Sequence, residues 1–348
     1  MEFKIGEKSV GKGHRTFIIA EIGVNHNGSY ELAVKMIQEA KDAGVDAVKF
    51  QLFKTEDLAS EFATLANYQK KATSAKNQKE LLKNLELTKQ EFIKLKQYCD
   101  SINIMFLATP FDLKSAKFLK QMNVAVYKVG SGDLTNYPLL KELALDDKPI
   151  ILSTGMSTMD EINAAISYMY SINKEKKIAL LQCTSSYPAP DSQLHLNVIK
   201  TYQQQYSIPI GYSDHSVGIE VPIAVTAMGA NLIEKHFTLD KKLPGPDHSS
   251  SLTPEELNNM IIAIRRIETA LGDANKQVTK NEKELRIKAR KGIFIMRNLE
   301  QGATIMEDDL VYLRPEMGIS ASDFESVIGR KLISKKKKGA PLYWTDLE

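Results

Sequence analysis

Between residues 16 and 237 the chain repeats one pattern eight times: a short β-rich run, a polar or glycine-rich turn, then a segment with apolar residues at helical spacing. The runs are "TFIIAEIG" (16–23), "AVKFQLF" (47–53), "IMFLATP" (104–110), "AVYKVGS" (125–131), "PIILSTG" (149–155), "IALLQCT" (178–184), "PIGYSDH" (209–215) and "LIEKHF" (232–237). Strands that alternate with helices pair in parallel. Eight such units are what a (β/α)₈ barrel requires. The intervening segments fit: in "ELAVKMIQEAKDAG" (31–44), Leu32, Met36, Ile37 and Ala40 repeat at helical spacing and Gly44 supplies the C-cap. The alternative is a doubly wound open sheet. Its dinucleotide fingerprint is missing, since "GVNHNG" after the first run has the wrong glycine spacing. The expected fold class is therefore α/β, a TIM barrel.

The pattern ends with "TPEELNNMIIAIRRIETALG" (253–272), where Thr253 is an N-cap, Pro254 takes the first helical position and Glu256 completes a capping box. "DANKQVTKNEKELRIKAR" (273–290) is charged and poor in large apolar residues, and reads as a linker. Residues 291–348 carry the short runs "GIFIM" and "LVYLRP" between turns, a small β-rich module. The expected domains are thus a barrel over 1–272, a linker over 273–290 and the β-rich module over 291–348. Such a module buries little core by itself, so it is expected to dock on something. The connection from about 54 to 103 is long and weakly periodic, as for a loop or lid over the barrel mouth.

Composition closes off several classes of function. No apolar run reaches the ~18 residues of a membrane span, and "MEFKIGEKSVGKGHR" lacks the apolar core of a secretory signal. Two cysteines, Cys99 and Cys183, are too few for a disulfide framework. A net charge of +3 gives no case for nucleic acid, and Lys335–Lys338 reads as a solvated turn. These features predict a cytoplasmic protein with neither membrane nor nucleic-acid partners.

The strand ends carry the chemistry. In a TIM barrel the functional groups sit at the C-terminal ends of the strands. Here those ends hold Glu21, Lys49 with Gln51, Thr109, Lys128 with Ser131, Ser153, Ser185, Ser213 with His215, and Glu234 with His236. Side chains two apart on a strand share a face. Glu234 and His236 therefore look inward together, whereas Lys235 points outward as a surface or packing residue. His215 and His236 end adjacent strands, so their rings can converge on one ion. Two imidazoles suit an exchangeable divalent cation, Mn²⁺ or Mg²⁺, with water and substrate oxygen completing the sphere. His26 is a weaker third candidate; His14 and His195 are left without a role. Lysines among hydroxyls suit an acceptor-only anion, phosphate or carboxylate. A Schiff-base aldolase using Lys49 or Lys128, and a non-catalytic carbohydrate-binding protein, are the competing readings.

The motifs "AEIGVNHNG", "AVKFQ", "ATPFD", "YKVGSGD", "ILSTGM", "CTSSYP", "GYSDH", "EKHFTLD" and "GPDH", taken in order, resemble the sialic acid (nonulosonate) synthase family. The C-terminal module is similar to the antifreeze-like, or SAF, domain fused to those barrels. The resemblance implies condensation of phosphoenolpyruvate with an open-chain N-acylated amino sugar, N-acetylmannosamine first. The products would be a nine-carbon α-keto acid and phosphate, with C–O cleavage. N,N'-diacetyllegionaminate synthesis from 2,4-diacetamido-2,4,6-trideoxymannose is the alternative, and the intact "GPDH" argues against the pseudaminic branch. The resemblance also implies that His215 and His236 hold the metal, Mn²⁺ before Mg²⁺ or Co²⁺. Phosphoenolpyruvate would lie against Lys49, Thr109, Lys128, Ser131, Ser185 and Ser213. Glu21 would steady the developing cation or take the proton of water, and Glu234 would assist beside it. Sugar contacts would fall to Gln51, Ser153, Tyr187 and Asp247. Arg314 of "RP" would reach the neighbouring subunit's site in a domain-swapped homodimer. Ser185, where some members carry asparagine, and Asp133, where others carry glutamate, depart from the pattern. The long segment with "YQKK" suits either sialic or legionaminic acid synthesis.

Overall fold

The computed structural model describes residues 2–66, 69–70 and 73–348, and the chain divides into two compact units, one ending at Gly272 and one beginning at Asp273. In the first unit an antiparallel hairpin, β1 (Glu2–Ile5) and β2 (Lys8–Gly11), precedes eight parallel strands. These are β3 (Phe17–Gly23), β4 (Ala47–Leu52), β5 (Met105–Pro110), β6 (Tyr127–Val129), β7 (Ile150–Ser153), β8 (Ile178–Cys183), β9 (Ile210–Asp214) and β10 (Leu232–His236). Each lies within one of the eight sequence runs. They pair in the order β5-β4-β3-β10-β9-β8-β7-β6, and β5 lies beside β6, so the sheet closes into a nearly complete barrel.

Strand parity divides the barrel into two cores. Outward residues such as Ile18, Val48, Phe50, Phe106, Ile150, Tyr212 and Ile233 pack under the helices. Inward residues Phe17, Ile19, Ala47, Leu107, Val126, Ile151, Leu181 and Leu232 fill the lower barrel, and Phe3, Ile5 and Val10 of the hairpin close it from below. Nothing in the sequence pattern had assigned structure to that hairpin.

Helix boundaries follow local chemistry. Ser29 accepts a hydrogen bond from the Leu32 N–H at the start of helix Tyr30–Ala43, and Gly44 ends it at φ 91°, a left-handed conformation open to glycine. Thr253 and Glu256 form the expected capping box of helix Pro254–Leu271.

The 54–103 connection contains helices Thr55–Leu58, Gln78–Lys83 and Lys89–Ser101. Leu65, Leu81 and Leu85 pack there with Val24 and Phe53, so this segment owns a small core. Tyr68 and Lys71 of "YQKK" lie outside the described residues.

In the second unit the span expected as linker carries an exposed helix, Lys280–Ala289. Strands β11 (Gly292–Ile295) and β12 (Leu310–Leu313) pair antiparallel over a core that includes Ile293, Ile305, Ile319, Leu332 and Leu342.

Candidate active site

Above the apolar floor the inward layer turns polar on every strand. Glu21, Lys49, Thr109, Lys128, Ser153, Cys183, Ser213 and Glu234 are all buried there. Buried charges are tolerated when paired and hydrogen-bonded, and these interlock. Lys49 Nζ lies 2.8 Å from Glu21 Oε2 and 3.7 Å from Glu234 Oε2, and donates to Thr109 Oγ1 at 2.9 Å. Lys128 Nζ lies 3.6 Å from Glu234 Oε1 and donates to Ser153 Oγ at 2.7 Å. Ser213 Oγ donates to Glu234 Oε1 at 2.9 Å, and Gln51 Nε2 to Glu21 Oε1 at 3.2 Å. At the adjoining rim the Gly155 N–H donates to Ser131 Oγ at 3.0 Å. A Cβ on Gly155 would stand 2.2 Å from Ser185 Oγ and 2.8 Å from Ser131 Oγ, so both hydroxyls converge where only hydrogen fits.

The two carboxylates are driven apart electrostatically. Burial, opposed by Lys49 and reinforced by Glu234, raises the Glu21 carboxyl above its ordinary value. Burial works against Glu234 too, but Lys128, Lys49 and the Ser213 hydroxyl outweigh it and hold that carboxyl low. Lys49 overcomes burial through Glu21 and Glu234 and stays firmly protonated. Burial lowers Lys128, with Glu234 opposing. A pair of carboxylates separated in this way can divide proton-holding from charge-stabilising roles.

His215 and His236 stand above this layer, ring centroids 5.4 Å apart, with the Tyr187 ring 4.1 Å and 5.7 Å from them. His215 Nδ1 meets the Thr184 carbonyl at 2.8 Å. A carbonyl only accepts, so Nδ1 carries the proton and Nε2 of the neutral ring keeps its lone pair. Burial, countered by Cys183 and the Thr184 carbonyl, leaves His215 raised. Burial followed by His215 depresses His236 well below the ordinary imidazole value, and its Nδ1 is buried without a hydrogen-bond partner. The nearest acid is Asp247, whose Oδ2 is 4.0 Å from that nitrogen. A tautomer fixed by a carbonyl beside an orphaned imidazole nitrogen is a donor set that fits a divalent cation. Among the described residues no cluster of three His, Cys, Asp or Glu forms, so water and substrate oxygen would complete the sphere.

One cavity of about 470 Å³ is lined by Glu21, Lys49, Gln51, Thr109, Lys128, Ser131, Ser153, Ser185, Tyr187, Ser213, His215, Glu234 and His236. Thirteen of the fifteen site residues expected from sequence therefore share it. Asp247 stands behind His236, and burial pushes its carboxyl up to about 6. Arg314 lies in the second unit, exposed, at the end of β12. His26 is buried against Phe50 and accepts from the Gly28 N–H at 3.1 Å, away from the cavity lining. Asp133 accepts from Asn136 Nδ2 at 2.9 Å and does not line the cavity.

Seven lining residues escaped the sequence reading: Ala66, Gln78, Phe111, Gly130, Gly132, Met156 and Cys183. The one signal Cys183 offered was positional: it stands two before Ser185, near the end of the run 178–184. Its Sγ is 3.8 Å from His215 Nδ1. Burial alone would raise that thiol, but His215, Ser131 and Lys128 together bring it down. Gln78 and Ala66 come from the 54–103 connection and had no such signal.

Comparison with known proteins places this geometry in context. The NeuB family model matches residues 36–276 and the SAF domain model matches residues 290–348. The N,N'-diacetyllegionaminic acid synthase of Legionella pneumophila is 41% identical over 347 residues, covering 99% of this chain and 98% of the relative. Human N-acetylneuraminate-9-phosphate synthase is 36% identical, covering 93% of this chain and 90% of its own. Among solved structures, the N-acetylneuraminic acid (sialic acid) synthetase of Leptospira borgpetersenii in complex with citrate superposes with a TM-score of 0.74. That structure is 38% identical and covers 82% of this chain and 95% of its own.

Proposed function

Because the chain belongs to the NeuB family and is an enzyme of the sialic acid synthase class, we propose that it condenses phosphoenolpyruvate with an open-chain N-acylated amino sugar. The products are a nine-carbon α-keto acid and phosphate. The observation that carries the reading is the gathering of two ammonium groups, two carboxylates and five serine and threonine hydroxyls with a pair of imidazoles at one barrel mouth.

Phosphoenolpyruvate carries a carboxylate and a phosphate, both acceptor-only. Lys49 and Lys128 supply charge-assisted donors for them, with Thr109, Ser131, Ser185 and Ser213 adding hydroxyls. A divalent cation held by His215 and His236, Mn²⁺ before Mg²⁺ or Co²⁺, would polarise the aldehyde oxygen of the open-chain sugar. Gln51, Ser153, Tyr187 and Asp247 would orient that sugar, as the family resemblance implies; the first three line the cavity. The C=C pair of phosphoenolpyruvate forms the new C–C bond from its methylene carbon to the aldehyde carbon, the carbonyl π pair moves onto the aldehyde oxygen as an alkoxide, and positive charge develops at C2. Glu234, held ionised, faces that charge. Water then adds at C2, its proton passes to Glu21 Oε2 and on to the new alkoxide, and the tetrahedral hydroxyl gives its remaining proton to the departing phosphate as the C2–O bond breaks and the keto group forms. The apolar floor beneath excludes other water.

For the acceptor we favour 2,4-diacetamido-2,4,6-trideoxymannose. The 41% identity to the Legionella synthase supports it, as does an apolar part of the lining, Ala66, Phe111 and Met156, which suits an additional acetyl group and a 6-deoxy methyl. N-acetylmannosamine, the expectation from sequence, is the second acceptor. We further propose a homodimer in which Arg314 acts on the cavity of the second copy, as the family resemblance implies. The decisive assay is phosphate release from phosphoenolpyruvate with each sugar offered separately, with and without EDTA. Release that needs a sugar and is restored by Mn²⁺ supports the reading; borohydride-trappable adducts at Lys49 or Lys128 would favour the aldolase instead.

A further inference from the structure

Lys235 is outward, as expected, and of the two places expected for it, surface or packing, it takes the second. It points away from the cavity, yet its side chain is fully buried. Its Nζ donates to Asp214 Oδ2 at 2.6 Å and to the Ser216 carbonyl at 2.5 Å, while Asp214 Oδ1 accepts from the Ser216 N–H at 2.9 Å. Lys235 and Asp214 are register partners on β10 and β9, and each directly precedes one of the two histidines.

The step before them on the same outer face, Tyr212 opposite Ile233, is an ordinary apolar pair in the core. Packing alone would be served by another such pair, because taking two charges out of water costs much of what their attraction returns. What a charged pair adds is direction. The ammonium ties β10 to β9 and also holds the carbonyl of the residue that follows His215, where the chain leaves the strand. On the inner face Ser213 already bonds Glu234 one register step earlier. The two strands are thus laced on both faces immediately below the imidazoles, and the His215 ring is held separately by Thr184.

We propose that the buried Asp214–Lys235 pair is a positioning device that fixes the separation and aim of the His215 and His236 rings, and thereby sets the affinity of the site for a divalent cation. The inference rests on the metal role proposed above for those histidines. Lys235 itself, with no exposure, touches no substrate.

The test uses the full-length chain without substrates and reads Mn²⁺ binding from the free-ion signal in electron paramagnetic resonance. In the double variant Asp214→Asn/Lys235→Met neither charge is left unpaired. We expect it to unfold cooperatively and to bind Mn²⁺ about 10- to 100-fold more weakly, the range seen when groups orienting metal ligands are removed. ¹⁵N spectra of its metal-free histidines should show His215 losing the single Nδ1–H tautomer of the parent. A cooperatively folding double variant with the parent's Mn²⁺ affinity and tautomer overturns the proposal. Should the double variant not fold, Asp214→Asn alone, isosteric and still able to accept from Ser216, is expected to bind Mn²⁺ several-fold more weakly; unchanged affinity there overturns it equally. The underlying metal reading fails separately: the parent and His236→Ala would then bind Mn²⁺ alike.

Discussion

Asp247 gives a pH signature that belongs to the folded barrel alone. Burial raises its carboxyl from an ordinary 3.8 to about 6, and His215, the chief opposing influence, does not offset this. The native state therefore holds this proton more tightly than the unfolded chain. The resulting stability is fully present below about 3.8 and is lost as pH rises through about 6. At about 1.36 kcal/mol per decade, the loss reaches about 3 kcal/mol by pH 8, of which about 1.4 kcal/mol falls between pH 5 and pH 8. Asp247→Asn cannot ionise and should escape that decline. Urea unfolding of the barrel transition, in EDTA at pH 5, 6, 7 and 8, measures it. The variant's advantage over the parent should grow by about 1.4 kcal/mol across the series, because every other titrating group is common to both. A difference that stays flat across those pH values would refute the assignment of the raised carboxyl. Turnover should fall in the same variant, since a group kept ionised at a cost to the fold is kept for what it contacts.

Other perturbations address separate parts of the molecule. Ile5→Ala, in the hairpin that closes the barrel, removes a fully buried side chain and should cost about 2–5 kcal/mol of stability; calorimetry would show a lowered Tm, with turnover per folded molecule retained at low temperature. Gly155→Ala drives a methyl into the Ser131 and Ser185 hydroxyls. At about 1–3 kcal/mol of overpacking it should raise KM for phosphoenolpyruvate about 5- to 150-fold while sparing the sugar KM, and equal rises in both would argue against the anion assignment. Arg314→Ala mixed with His236→Ala should recover about a quarter of the parent's active sites if each copy serves the other's cavity. No recovery on mixing rules out that trans role.

How far these features could be read from residues alone depended on whether their meaning was local. A glutamate or lysine inside an apolar run of six to eight residues is an anomaly of period two, so Glu21, Lys49, Lys128 and Glu234 declared both their strand and their inward face. Thr253 and Glu256 announced a helix start through their own spacing. Phe3, Ile5 and Val10 had no such marker: their strands are four residues each, and their apolar face has a purpose only once a barrel floor exists to receive it. Cys183 looked like one more apolar residue in "IALLQCT", because its polarity is conferred by His215 and Lys128. Lys235 showed its outward face but left surface and packing both open, for a related reason. An outward residue reaches water in an open antiparallel sheet, but in this barrel it meets a layer of helices. Gln78 and Ala66 reach the cavity through a connection whose path no periodicity encodes.

The sealed underside of the barrel has a consequence for traffic. With Phe3, Ile5 and Val10 stopping one end, the cavity is a blind-ended shaft, and whatever enters must leave by the same door. On the function proposed above, a small anion bound at Lys49 and Lys128 would have to descend first, because a bulkier guest beside His236 would cork the shaft above it. On that proposal loading would run deep to shallow, and emptying would begin with whichever product sits nearest the opening.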